Sequence, residues 1–130
     1  MEMQRDVVRV AHGEVVVVSF SGRIAPGSEG NEAAAEGGRF IRASLSAGAV
    51  ALIVDATRLQ YVMGNYIGSW ILGHTLPVRL VATGETGRAL DSLLAWSGLE
   101  AVLGPDLLQP SLESALASLP AKTDDGARAS

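Results

Sequence analysis

Residues 49–54 read Ala-Val-Ala-Leu-Ile-Val without a polar interruption and run into Asp55. A strand with one wet face alternates apolar and polar residues, whereas a continuous apolar run needs cover on both faces. Six residues are far short of the roughly 20 that span a bilayer and shorter than most buried helices. The segment is therefore expected to be a central strand, most simply a parallel one, with helices packed on its sheet.

The flanking sequence fits that frame. Residues 7–10 and 15–18 are valine-rich, and His12-Gly13 between them predicts a hairpin, with the second strand continuing through Ser21. A loop around Pro26 precedes a helix expected over residues 32–46, with Phe40, Ile41 and Leu45 facing a core and Gly37-Gly38 weakening its middle. A second helix is expected over 65–72, a strand over 78–82, a third helix over 86–96 stopped by Gly98, a short last strand at 101–103, and a fourth helix over 110–119. Leu112, Ala115, Leu116 and Leu119 form an apolar stripe on that last helix. The fold class is α/β: a mixed sheet of four or five strands with about four helices. Residues 1–119 form one domain, and 120–130, which contain almost no large apolar residue, form a flexible C-terminal tail.

Composition narrows the function. The 130 residues are 48% apolar and 18% charged, as in one globular domain. Acidic residues outnumber basic ones 14 to 10, Lys122 is the only lysine, and there is no basic run. Phosphate contacts need clustered cations, so nucleic acid is not an expected partner. The absence of cysteine removes disulfides, thiolate metal sites and cysteine nucleophiles. The first residues carry no apolar stretch, so no signal peptide and no direct membrane insertion are expected, and the setting is read as cytoplasmic.

Catalytic chemistry has little support. The two histidines, His12 and His74, are far apart in sequence and read as loop residues. No nucleophile elbow, phosphate-binding lysine loop or dinucleotide fingerprint occurs. Asp55, Glu85 and Asp106 fall near strand or loop ends, where acids are common. No cofactor and no metal are expected. The most informative stretch runs from Asp55 to Gly68: a buried strand ends, a loop follows, and Asn65 is placed to cap a helix through its side-chain oxygen.

Several segments, in their order and spacing, resemble the STAS domain of bacterial anti-sigma-factor antagonists. Residues 15–24 (VVVVSFSGRI) resemble the family's opening strand, 52–59 (LIVDATRL) its central strand, 88–99 its third helix and 111–116 (SLESAL) its last helix. The resemblance covers about residues 7–119. It implies a non-enzymatic regulator of transcription, of the kind that includes sporulation control, acting by protein–protein binding. The implied partners are an anti-sigma factor or switch kinase, or another STAS protein. The family's phosphorylated serine corresponds to Asn65, which has no hydroxyl, and Met63 stands where the family has an acid. The usual phospho-serine switch is therefore expected to be absent, with Thr57 a better acceptor than Ser69.

The interaction surface implied by this alignment comprises Gln60, Tyr61, Met63, Gly64, Asn65, Tyr66 and Trp70. Tyr66 and Trp70, four apart, share a helix face. Two readings stand: they are partly exposed interface anchors beside a buried Ile67/Ile71 stripe, or they cap the core. The alternative function is a ligand-binding or transport-accessory module for nucleotide, lipid or anion, with a groove near Asp55, Thr57, Thr83 and Gly84.

Overall fold

The computed structural model describes residues 1–11, 13–24, 27–45, 48–61, 68–98, 101 and 103–120. Its strands are β1 (Glu2–Val10), β2 (Gly13–Ile24), β3 (Ala49–Tyr61), β4 (Val78–Val81) and β5 (Leu108–Gln109). Its helices are α1 (Ser28–Ser44), α2 (Gly68–Ile71), α3 (Gly84–Ser97) and α4 (Leu112–Ser118). The five strands lie in the order β1-β2-β3-β4-β5, with β1 antiparallel to β2 and the remaining pairs parallel. The 49–54 run is thus central, as its composition requires.

The strand order dictates where the helices go. Each parallel crossover steps to the next strand in the same direction, and such crossovers are right-handed in nearly all proteins. Successive crossovers therefore deposit α1, α2 and α3 on one face. Accordingly Ile41, Trp70, Ile71, Leu90 and Leu94 join Val16, Val18, Phe20, Leu52 and Val54 in one core. The opposite face has no crossover helix and is closed by α4, whose Ala115 packs with Val15, Val17, Ala51, Ile53 and Val81. Successive residues from Ala51 to Val54 of β3 enter opposite cores, which accounts for the lack of polar residues in that stretch.

Several elements differ from the sequence expectations. First, β1 begins at Glu2, not at residue 7: Met3 packs on the larger core, and Arg5 Nε donates 2.8 Å to the Ser44 carbonyl at the end of α1. Second, α1 starts at Ser28, four residues before the expected start, because Gly27 turns the chain with φ 83° and its carbonyl accepts from Asn31 N–H. Third, β3 runs to Tyr61 where a loop was expected after Asp55. Fourth, Ala101 and Leu103 are helical, and the last strand is Leu108–Gln109. The free edge of β4 selects it, Leu80 N–H donating to the Leu107 carbonyl and Ala82 N–H to that of Gln109. Fifth, Leu112 is exposed, whereas Ala115 is the buried residue of α4, letting this short helix lie close to the sheet. Gly98 ends α3 as expected, in the left-handed conformation at φ 78°.

Candidate functional site

The far end of β3 carries the region singled out in the sequence. Asp55 pairs with Ser19 of β2, but the next registered pair is Ser21 with Arg58, so β3 holds one extra residue there. This bulge centres on Thr57. The Asp55 carboxylate accepts from the Thr57 backbone N–H at 2.9 Å and from its hydroxyl at 2.7 Å, satisfying a donor that an irregular ladder would strand. One extra residue inverts the side-chain alternation. Without it Arg58 would point into the larger core; with it Leu59 is buried and Arg58 faces out. The strand then continues, Gln60 opposite Arg23 and Tyr61 opposite Ile24. Beyond the last β4 pairing, the Leu59 carbonyl accepts from Thr86 Oγ1 at 2.8 Å, which ties the start of α3 to β3.

The expected surface is only partly visible in this frame. Gln60 is exposed, and Tyr61 closes β3. Met63, Gly64, Asn65, Tyr66 and Ile67 lie outside the described residues, as does the expected start of the second helix at 65. Trp70 does not belong to a surface. It is fully buried, its ring stacks on Phe20 with centroids 4.1 Å apart, and its indole N–H donates 2.8 Å to the Ala34 carbonyl of α1. The cause is Gly37: a Cβ there would sit 2.6 Å from the indole nitrogen, so only glycine leaves room for the ring against α1. Gly37, one of the two glycines that weaken this helix in sequence, is the docking slot of the tryptophan. His74 Nε2 donates to the Trp70 carbonyl at 2.9 Å, closing the turn after α2.

The expected ligand groove is divided. Thr83 and Gly84 line an open hollow of about 360 Å³ together with Gly87, Arg88, Asp91 and Gln109. Asp55 and Thr57 are not part of that lining and are engaged with each other. Thr83 caps α3 by its backbone position, with no side-chain capping bond. Ligand crevices in open α/β sheets form where the strand order reverses, and β2 to β5 follow one another without reversal. Among the described residues no three His, Asp or Glu side chains gather as a metal site, and no helix is long and apolar enough to cross a membrane.

Two features escaped the sequence reading. Arg79 of β4 is buried, and its guanidinium donates to the Ser118 hydroxyl at 2.8 Å, the Ser118 carbonyl at 3.0 Å and the Val78 carbonyl at 3.0 Å. A cation there meets the negative end of α4 and its unpaired carbonyl. The only hint in sequence is an arginine inside an otherwise apolar strand, VRLV. Trp96 is 87% exposed on α3. A helical projection with Leu90 and Leu94 inward would have placed it outside.

No family model matches the chain, and no curated protein does. Solved structures do. An anti-sigma factor antagonist from Mycobacterium paratuberculosis superimposes with a TM-score of 0.61 at 23% identity, over 91% of this chain and 94% of that one. The anti-sigma factor antagonist SpoIIAA in its unphosphorylated form gives a TM-score of 0.51 at 17% identity, over 95% and 97%. At these identities the likeness establishes the fold: the chain is built as these antagonists are.

Proposed function

We propose that this protein is a non-enzymatic regulator that acts as anti-sigma-factor antagonists do, by binding an anti-sigma factor or switch kinase, or another protein of its own fold, in the cytoplasm. The observation that carries this reading is the near-complete overlap of the chain with a solved antagonist, 91% of one and 94% of the other. The undivided strand order and the split groove favour a protein partner over the ligand-binding or transport-accessory reading. The contact surface is assigned to the end of β3 and the residues after it: Gln60, Tyr61, Met63, Gly64, Asn65 and Tyr66.

Asn65 keeps this surface in one charge state, because a carboxamide accepts no phosphoryl group. Partner binding is then constitutive. The partner is identified by affinity capture from the source cell and its binding measured by titration calorimetry with purified components. Asn65→Asp places an unpaired charge in the interface and is expected to weaken binding by about 2–5 kcal/mol. Tyr66→Ala removes an aromatic anchor and weakens it as well. Unchanged affinity in both variants overturns the surface. Incubation with a partner kinase and ATP is expected to leave the intact mass unchanged or to add phosphate at Thr57; phosphate on Ser69 overturns the placement.

A further inference from the structure

We propose that the outer face of α3 joins two copies of this chain, and that Arg88 of each copy stacks on Trp96 of the other. Leu90 and Leu94 are buried beneath α3, which turns Arg88, Ser92 and Trp96 outward. These three are spaced by four residues and form one ridge of the helix. Trp96 is 87% exposed, an unusual cost for the largest apolar side chain in a chain whose other tryptophan is fully buried. Arg88 makes no ion pair with any described residue, although Asp91 is one turn away.

The ridge is complementary to itself. A twofold axis through Ser92 runs two α3 helices antiparallel, with the small serines at the crossing. The same axis brings position 88 of one helix opposite position 96 of the other, twice. A guanidinium over an indole face is the strongest common cation–π pairing, and it strengthens when water is excluded. Ridges of four-residue spacing that interdigitate are the commonest helix packing in globular proteins. Past Trp96, Ala95, Gly98, Ala101, Gly104 and Pro105 line a hollow of about 450 Å³ floored by Leu94. Arginine and tryptophan are also the side chains most often found as interface anchors. This proposal does not rest on what the residues around Asn65 bind.

Sedimentation equilibrium on the purified full chain, from micromolar to millimolar, is the test. The wild type is expected to pass from monomer to dimer as Trp emission shifts to the blue. Trp96→Arg sets two guanidinium groups against each other and is expected to weaken the dimer by about tenfold or more. The double variant Arg88→Trp with Trp96→Arg restores the pair with its members exchanged and is expected to recover association. Both positions are exposed, so thermal melting should stay at the wild-type value. A wild type that remains monomeric to millimolar concentration overturns the proposal and leaves the face to a different protein. A dimer indifferent to Trp96→Arg, or one that the exchanged pair does not recover, overturns it equally.

Discussion

The two faces of the sheet are closed by different means. Among the described residues, the face under α1, α2 and α3 holds a core cluster of seventeen buried residues, and the face under α4 one of six. On the first, shape decides: a tryptophan lies on a phenylalanine in a slot cut by a glycine. On the second, the apolar area is small and polar fastening supplements it. Arg79 holds the end of α4, and Ser111 with Ser114 forms a reciprocal cap at its start. The teaching is that a strand order without reversal stacks its crossover helices on one side. The other side must then be closed by the chain's last helix, and a single turn or two of helix buries too little to hold without hydrogen bonds.

This contrast can be broken at graded cost. Trp70→Ala empties the centre of the larger core and is expected to lower unfolding free energy by about 3–5 kcal/mol in chemical denaturation. Arg79→Met leaves the Ser118 carbonyl unpaired and is expected to cost about 1–3 kcal/mol. Hydrogen exchange distinguishes the two faces here: α4 should lose protection while α1 keeps it, and uniform loss would show that the faces are not separate. Gly37→Ala drives a methyl into the indole; overpacking, partly offset by better helix propensity, leaves a net loss of about 1–2 kcal/mol. Asp55→Ala strips the bulge of its acceptor and is expected to cost about 0.5–1.5 kcal/mol. Amide exchange at Thr57 should rise in that variant, with the smaller core otherwise unchanged.

Much of the fold was legible because burial leaves a periodic trace. The 49–54 run announced a two-sided strand, the valine blocks announced the hairpin, and Gly98 marked the end of α3. The site was less legible. Position 65 was readable as chemistry, since an amide cannot carry a phosphate, yet the extent of the strand leading to it was not. Residues 55–61 look like a loop because their buried apolar residues, Ala56 and Leu59, are three apart where a strand spaces them by two. The phase change is a bulge, visible only once β2 lies alongside.

Residue types alone determined which segments must be buried on two faces, the absence of cysteine chemistry and the lack of a hydroxyl at position 65. These are properties of single side chains and of their spacing along one strand or helix. Tertiary structure decided what lies opposite what. Gly37 reads as a helix weakness until Trp70 is seen to fill its place, and Trp70 reads equally as an interface anchor or a cap on the core until that slot is known. Arg79 reads as a misplaced charge until the end of α4 arrives above it. In each case the partner is more than 30 residues away along the chain. Local pattern has no access to such a pairing, because its energy comes from groups that meet only when the chain has closed on itself.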